Sequence, residues 1–279
     1  MTGVALSLSS VPEVLAHIRT ARDVAFGAYF VKPGALRSAL TTAARHGAHV
    51  AVTLQADPYK NPDGAQANAD TARLLRDAGA QVTLLPSQRV PFHIKAAVCD
   101  GVAYLDDRNF TPRGPEMVVR DDDPNDVALV RDALRGHGGD DTTLATRKDA
   151  ALASELALVE QAGAAPVVVE TERVRTSPLT RALQQRAAAG LPTTLVVAQG
   201  PHDSRTERSA LAQLTHDGVD VRYGGRNEKL ALAGDAAWIG SGNATGAAGR
   251  GAYQLEWGLV TRDPALVGAV RTALARDAA

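Results

Sequence analysis

The sequence predicts an α/β fold built from two similar α/β/α lobes. Three observations support this prediction. Short β-branched runs alternate with stretches in which apolar residues recur at helical spacing. This alternation occurs twice along the chain. In both halves glycines follow the predicted helices in the same order. Such alternation is typical of a sheet covered by helices on both faces. A chain of 279 residues is long enough for one large domain or two small ones.

Buried strands are predicted for three β-branched runs of the first half, at residues 24–31, 50–54 and 82–85. Between the first two runs, Leu36, Leu40 and Ala44 form one apolar face at helical spacing. Gly47 follows this face, at a position where glycine commonly ends a helix. The first half is therefore expected to fold as strand, helix and strand in succession.

The second half repeats this plan. Leu179, Leu183 and Ala187 form the matching helical face, and Gly190 is the matching stop. The β-branched run at residues 194–198 is the matching strand. The period is near 135 residues, which is too long for a solenoid unit. The repetition predicts an internal duplication that gives two α/β halves around a pseudo-twofold axis.

Each half also ends in a helix introduced by an Asp-Pro pair, Asp123-Pro124 in the first half and Asp263-Pro264 in the second. Proline is well tolerated at the first helical position, and aspartate is a favourable residue before it. The matching ends strengthen the prediction of a duplication.

The predicted lobe boundaries follow from this duplication. An N-terminal lobe is expected at residues 1–140 and a C-terminal lobe at residues 141–279. Residues 136–141, which are rich in glycine and aspartate, are the predicted linker. A polar-faced helix from residue 144 to about residue 162 is expected to bridge the halves.

Composition limits the classes of function. The formal net charge is −1, so no bulk basic field draws the chain to nucleic acid or to an anionic membrane. Cys99 is the single cysteine, which excludes a disulfide framework within the chain. No window approaches 18 continuous apolar residues, and the N-terminus does not resemble a signal peptide. These features predict a cytoplasmic protein without a transmembrane segment, and a monomer of two pseudo-symmetric lobes.

Both halves carry a polar motif at the same place in the repeat. The first motif consists of His93, Lys95, Asp100 and Asn109. The second consists of Asn227, Lys229, Ser241 and Asn243. In each motif the asparagine comes 14 positions after the lysine and 16 positions after the first residue of the motif. Two copies at matched spacing are a far more specific signal than one His-x-Lys sequence.

These motifs resemble the phospholipase D superfamily, whose pattern is His-x-Lys, four residues, Asp, then about six residues and Gly-Ser-x-Asn. The resemblance covers essentially the whole chain. It implies a phosphodiesterase or phosphatidyltransferase that works through a covalent phosphohistidine on His93, with no metal and no cofactor. It also implies a phosphodiester substrate, which in the family is a phospholipid, a nucleic acid or a small diester.

The residue types suit this chemistry. In an extended strand, His93 and Lys95 point to the same face, so the lysine can hold the phosphate that the histidine attacks. Imidazole is a competent nucleophile near neutral pH, and the amides of Asn109 and Asn243 can bind phosphate oxygens. Phosphoryl transfer depends mostly on positioning and on stabilisation of charge. Asp100 is interpreted as a supporting carboxylate and Ser241 as an additional donor.

The second motif departs from the family pattern, because Asn227 stands where a histidine is expected. Asparagine can donate a hydrogen bond to phosphate, but it cannot act as a nucleophile or a general acid. Three interpretations remain open. The chain is an enzyme with a substitute acid, for which His202 is the candidate; or it binds a phosphate-containing ligand without turnover; or Asn227 replaces a native histidine in an inactivated variant.

Two further places in the motifs differ from the family pattern, one in each half. Asp106-Asp107 stands where the first motif should carry Gly-Ser, and Asp107 either lies near the phosphate as a protonated acid or binds Arg108 or an amide outside the pocket. Family members often have a glutamate after the motif. Here the candidates are Glu116 and Glu256, at unequal distances from their asparagines.

The last departure is at the second motif's aspartate position. Gly234 stands there, with Asp235 one residue later, and a small bulge could absorb this shift.

Overall fold

A computed structural model describes residues 6–59, 61–110, 117–198, 204–247 and 252–278. Within these residues the chain forms two seven-stranded sheets, one in each half. No helix in the described ranges is both long enough and apolar enough to cross a membrane.

The first half supplies the strands of the first sheet: β1 (Ser7–Ser9), β2 (Asp23–Ala28), β3 (His49–Gln55), β4 (Gln81–Leu85), β5 (Ala96–Cys99), β6 (Val102–Asp106) and β7 (Val118–Asp121). Its helices are α1 (Val11–Thr20), α2 (Ala35–Arg45), α3 (Pro62–Asp77) and α4 (Pro124–Leu134). The spatial order is β1-β7-β6-β5-β2-β3-β4. β2, β3 and β4 are parallel, and the other pairs are antiparallel.

The second half supplies the strands of the second sheet: β8 (Leu144–Ala145), β9 (Val167–Thr171), β10 (Thr193–Ala198), β11 (Asp220–Gly225), β12 (Leu230–Ala233), β13 (Ala236–Gly240) and β14 (Gly258–Thr261). Its helices are α5 (Lys148–Glu160), α6 (Pro178–Ala188), α7 (Arg205–His216) and α8 (Pro264–Asp277). The spatial order is β8-β14-β13-β12-β9-β10-β11. Read in this direction, β8 corresponds to β1, β14 to β7, and so on along both sheets, so the two sheets have the same strand order.

Side-chain contacts confirm the repeat at the residue level. After β2, the amide N–H of Val31 donates to Asn68 Oδ1 on α3 at 2.8 Å. After β9, the amide N–H of Val174 donates to Glu207 Oε1 on α7 at 3.1 Å. Each half therefore uses a polar residue of its third helix to hold the turn that follows its first parallel strand, β2 or β9. The predicted duplication and the α/β fold class are confirmed.

The helix signals in the sequence also act as predicted. Asp123 caps α4 by accepting the amide N–H groups of the first turn, and Asp263 caps α8 in the same way. Gly47 and Gly190 follow α2 and α6 with φ of 87° and 74°. Glycine adopts this left-handed conformation without a steric penalty from Cβ, which is why these helices end there.

Three apolar cores hold the layers together. One lies between the first sheet and α1 and α2, and another between the second sheet and α5, α6 and α7. The central core contains residues from both halves, including Leu105 and Val119 from the first sheet and Ile239 and Trp257 from the second. The inner helices α4 and α8 also contribute to this core. The two lobes are therefore joined by a shared apolar interior.

The helix expected from residue 144 to about residue 162 is present as α5 (Lys148–Glu160), but its predicted start and its role as a bridge between the halves are wrong. Leu144–Ala145 forms β8, which pairs with β14, and α5 begins only at Lys148. α5 packs on β13, β14 and α6 within its own lobe, as α1 packs on the first lobe. Helical periodicity could not show this, because a two-residue edge strand leaves almost no pattern.

Backbone contacts between the halves position the first motif. Phe92 forms a parallel bridge with Leu255, and the amide N–H of His93 donates to the carbonyl of Leu255 at 3.0 Å. His93 and Lys95 consequently lie just before β5, which begins at Ala96, and not within a strand. The side chains of His93 and Lys95 nonetheless meet, with Lys95 Nζ 3.0 Å from His93 Nε2.

Candidate active site

His93 is held by a carboxylate from the opposite half. Its Nδ1 lies 2.9 Å from Glu256 Oε1, and only 22% of its side chain is exposed. A carboxylate accepts hydrogen bonds, so Nδ1 carries the proton and Nε2 keeps its lone pair. The pairing therefore selects the tautomer in which Nε2 can act as a nucleophile. Glu256 was a sequence candidate, and the structure places it at the site.

The two motif lysines are both buried near this histidine. Lys95 is 3% exposed, and its Nζ lies 3.0 Å from His93 Nε2. Lys229 is 4% exposed, and its Nζ donates to the carbonyl of Asn227 at 2.6 Å and lies 3.4 Å from Glu172 Oε2. The duplication therefore brings one ammonium group from each half to the same region.

The electrostatics keep His93 neutral. Burial, followed by the charge of Lys95, lowers the pKa of His93 to about 4, although Glu256 opposes this. Burial and the charge of Lys229 lower the pKa of Lys95 to about 7, against the opposing Glu256 carboxylate. At neutral pH the site thus combines an uncharged imidazole with a lysine that is only partly protonated.

Glu256 also contacts a third lysine. Its Oε2 lies 4.0 Å from Lys148 Nζ, and Lys148 donates to Thr245 Oγ1 at 3.3 Å. Burial would raise the pKa of Glu256, but the hydrogen bond with His93 and the nearby cations keep it below its ordinary value. Lys148 was missed in the sequence because it belongs to neither motif. Its one signal was the scarcity of lysine, of which the chain has five.

A cavity of about 1000 Å³ lies between the lobes. Lys95 and Lys229 are buried behind its wall and are not among the residues that line it. His93, Glu256 and Lys148 line it together with Asn243, Tyr29 and Glu172. The Tyr29 ring makes an edge contact with the His93 ring, with 5.0 Å between ring centroids. The cavity is large enough for a small phosphate ester, and most of its wall is polar.

The structure brings Asn243 to the cavity. Its Oδ1 accepts the amide N–H of Arg173 at 3.2 Å, which leaves its NH2 group as a donor for a bound anion. Asn109 is half-buried and is not among the residues that line the cavity. Its Oδ1 accepts no hydrogen bond from the residues that the structure describes. The two motif asparagines are thus not equivalent in their surroundings.

Two candidates, Asp100 and Ser241, have structural contacts instead. Asp100 is exposed in the turn between β5 and β6, and its carboxylate accepts the amide N–H groups of Arg22 and Asp23. Ser241 is fully buried, and its hydroxyl accepts the amide N–H of Trp257 at 3.0 Å. Neither side chain lines the cavity. The predicted site roles of Asp100 and Ser241 are corrected on this ground, because their polar atoms hold the backbone.

Asn227 also departs from the expectation. It is exposed, does not line the cavity, and has a left-handed φ of 70°. It contacts Lys229 through its backbone carbonyl and not through its amide. The second motif therefore has neither a histidine nor a side chain that points into the cavity from this position.

Asp107 is only 1% exposed, and neither of its carboxylate oxygens accepts a hydrogen bond from the described part of the chain. Burial and the neighbouring Asp106 raise its pKa to about 7, with Lys229 and Arg108 opposing this shift. Asp107 is not among the cavity-lining residues. It is a partly protonated neighbour of the lysines that lies outside the cavity wall.

Glu116 and His202 lie outside the described residues, so both remain predictions. The sheet register does clarify the position of Glu116 in the sequence. Asp106 pairs with Val118, and Gly240 pairs with Gly258 at the same place in the second sheet. Glu116 and Glu256 each come two residues before these partners, so they are counterparts despite their unequal distances from the asparagines.

A second group of buried carboxyls lies away from the cavity. Glu170, Glu228 and Asp277 bring one oxygen each within 4.8 Å of the others. Arg276 contacts both Glu228 and Asp277, at 2.9 Å and 2.5 Å. Burial and the charge of Glu228 raise the pKa of Glu170 to about 8. The positive charge of Arg276 and a proton on Glu170 offset the negative charge of this cluster. We therefore interpret it as structural.

The sequence matches no family model and no curated protein. Among solved structures, a polyphosphate kinase from Porphyromonas gingivalis has a TM-score of 0.70 and 15% sequence identity, over 98% of this chain and 50% of that chain. The phospholipase D family member Nuc from Salmonella typhimurium and NucT from Helicobacter pylori each have a TM-score of 0.39. They are 17% and 16% identical over 48% of this chain, and 93% and 94% of those chains are covered.

The chain has two α/β/α lobes that border one cavity. The polyphosphate kinase from Porphyromonas gingivalis shares this arrangement over nearly the whole of the present chain, which spans half the length of that kinase chain. At 15% identity, the likeness concerns the fold alone.

Proposed function

We propose that the protein transfers a phosphate-centred group through a covalent intermediate on His93, as a phosphodiester hydrolase or transferase of the phospholipase D type. The observation that carries this proposal is the set of contacts at His93. Glu256 holds Nδ1 at 2.9 Å, and Lys95 lies 3.0 Å from Nε2. The ring borders a cavity that can admit a phosphate ester. General phosphoryl-transfer chemistry also agrees with the polyphosphate kinase fold.

The chemistry follows from the geometry. The lone pair on His93 Nε2 attacks phosphorus, and the bond from phosphorus to the leaving oxygen breaks. Lys95 and Lys229 stabilise the charge on the non-bridging oxygens. The ring gains positive charge as the nitrogen–phosphorus bond forms, and the Glu256 carboxylate stabilises that charge. Water or an alcohol then displaces His93 and completes the transfer.

The substrate class is the least constrained part of the proposal. Phospholipids, nucleic acids and small diesters are the candidates from the family resemblance, and the polyphosphate kinase fold adds phosphoanhydrides. Carboxylates such as Asp57, Glu172 and Glu207 line the cavity together with the cations. A long polyanion is therefore a poorer fit than a substrate with one or two phosphates.

Trapping the intermediate tests the proposal. The protein is mixed with bis(4-nitrophenyl) phosphate labelled at phosphorus and quenched in alkali, where phosphohistidine survives. We expect label on the intact protein, and no label on His93→Ala, whose turnover falls by about 10³-fold or more. His216→Ala, which removes an exposed histidine at the end of α7, serves as the matched control and keeps the label. Unlabelled wild-type protein with every candidate diester would contradict the proposal.

Binding of a phosphate-containing ligand without turnover is the second candidate. The observation that favours it is the exposed Asn227, because an asparagine at that position cannot supply the proton that the family's second histidine supplies. Calorimetry with inorganic phosphate separates the two functions. Phosphate binding that Lys229→Met abolishes, in a protein that never acquires label, would support the binding function.

A further inference from the structure

Sheet register identifies which residues of the two lobes correspond around the cavity. Ala96 on β5 directly follows the first motif lysine, and it pairs with Gly27 on β2. Leu230 on β12 directly follows the second motif lysine, and it pairs with Glu170 on β9. Gly27 and Glu170 are therefore structural counterparts. The residues that follow them correspond one by one as far as the matching turns held by α3 and α7.

Two residues beyond these positions lie Tyr29 in the first lobe and Glu172 in the second. Tyr29 is in ring contact with His93, at 5.0 Å between centroids. By the same symmetry, Glu172 borders the place that a second histidine would occupy. The side chain of Asn227 does not fill that place, because Asn227 is exposed. Glu172 is thus the carboxylate that the second lobe presents there.

The contacts of Glu172 suit a group that exchanges protons. It lines the same cavity as His93, and its side chain is 38% exposed. Its Oε2 lies 3.4 Å from Lys229 Nζ. Burial acts to raise the pKa of Glu172, but the charge of Lys229 keeps it below its ordinary value, so the carboxylate is ionised at neutral pH. A phosphate that draws Lys229 away would make Glu172 more basic.

We propose that Glu172 is the general base of the second chemical step and takes a proton from the water or alcohol that attacks the phosphohistidine. This inference rests on the proposed function. As the acceptor oxygen bonds to phosphorus, the bond between phosphorus and His93 Nε2 breaks and its electron pair returns to the ring. The acceptor's proton moves to Glu172, which passes it to solvent through its exposed edge.

Other carboxylates near the cavity are less suited to this role. Glu256 is committed to His93 Nδ1 and lies beside Lys148. Glu207 holds the amide N–H of Val174 and contacts Arg173. Asp107 does not line the cavity. Glu172 alone of these four combines an opening onto the cavity, partial exposure and a lysine partner that a bound phosphate would compete for.

A burst experiment with Glu172→Gln tests the inference. Nitrophenolate leaves without needing a proton, so the first step with bis(4-nitrophenyl) phosphate does not depend on Glu172. We expect a burst of about one equivalent of nitrophenolate at a rate within about threefold of wild type. The steady-state rate should then fall by about 10²-fold, with labelled His93 accumulating. Glu160→Gln, at the exposed end of α5, is the control and behaves as wild type.

The outcomes separate this inference from the proposed function. A Glu172→Gln variant that loses the burst and the steady-state rate equally would show that Glu172 acts only by orienting Lys229, and would overturn the inference. Unchanged turnover would overturn it as well. A wild-type protein that never forms labelled His93 would overturn the proposed function and this inference together. Glu172→Asp, which keeps the carboxylate, is expected to clear the label and to turn over within about tenfold of wild type.

Discussion

The two lobes share a scaffold but differ at the position where chemistry is expected. Their strands follow the same spatial order, and each lobe contributes one buried motif lysine. At the first position of the motif, however, His93 is buried against Glu256, whereas Asn227 is exposed. Both halves therefore share the fold and a buried motif lysine, whereas only the first half has a histidine at this position.

Backbone conformation reinforces this difference. The bridge from Phe92 to Leu255 holds the chain at His93 against the opposite lobe. At Asn227 the backbone is left-handed, and its carbonyl accepts the Lys229 ammonium. Asparagine tolerates this conformation better than most residues do. The two positions therefore differ in the path of the chain as well as in the side chain.

Removing either motif lysine tests whether the lobes share the phosphate equally. We expect Lys95→Met and Lys229→Met each to lower kcat/KM for bis(4-nitrophenyl) phosphate by about 10²-fold, because each removes one buried charge from the developing anion. Lys32→Met removes an exposed lysine and is the control. Steady-state rates give the measurement. A loss confined to Lys95→Met would mean that the second lobe contributes no charge to the reaction.

The pH dependence of kcat/KM tests the protonation state of Lys95, the motif lysine of the first lobe. Lys95 has a pKa of about 7 and His93 a pKa of about 4. As pH rises through about 7, Lys95 loses its charge, so kcat/KM should fall by about tenfold per pH unit. As pH falls below about 4, His93 becomes protonated and the rate falls again. Lys95→Arg should remove the alkaline decline, because guanidinium stays charged. A decline that persists in Lys95→Arg assigns that pKa to another group.

The fold was largely predictable from the sequence because its signals are local and occur twice. The glycines after α2 and α6 and the Asp-Pro starts of α4 and α8 act within a few residues. Their agreement in order revealed the duplication. The edge strand β8 was not predictable, because Leu144–Ala145 is too short to show a period. Its pairing with β14 depends on residues more than a hundred positions away.

The surroundings of His93 were predictable only in part. His93, Lys95 and Lys229 were found from the matched motifs, and Glu256 from the family resemblance. Lys148 and Glu172 were not, since they reach the cavity from elements outside both motifs. Asp100 and Ser241 match the family pattern, yet their polar atoms bind backbone groups. Spacing fixes which residues recur, but side-chain direction depends on tertiary contacts that spacing does not contain.

Replacing Asp100 tests its role as a structural residue. Asp100 has φ of 46°, and its counterpart Gly234 has φ of 62°. Asp100→Gly copies the second lobe, relieves the left-handed backbone and removes the hydrogen bonds to Arg22 and Asp23. We expect a net loss of stability of about 1–2 kcal/mol in urea unfolding, with kcat/KM within about twofold of wild type. A large loss of activity without a loss of stability would indicate that Asp100 contributes to the reaction and not only to the fold.

Restoring the histidine of the second motif is expected to have the smallest effect. Histidine tolerates a left-handed backbone, so Asn227→His should fold normally. Its side chain would be exposed, however, and kcat/KM should stay within about threefold of wild type. Asn227→Ala provides the matched control for loss of the amide. An increase above about tenfold in Asn227→His alone would show that position 227 can turn into the cavity. The asymmetry of the lobes would then come from the residue itself and not from the path of the backbone.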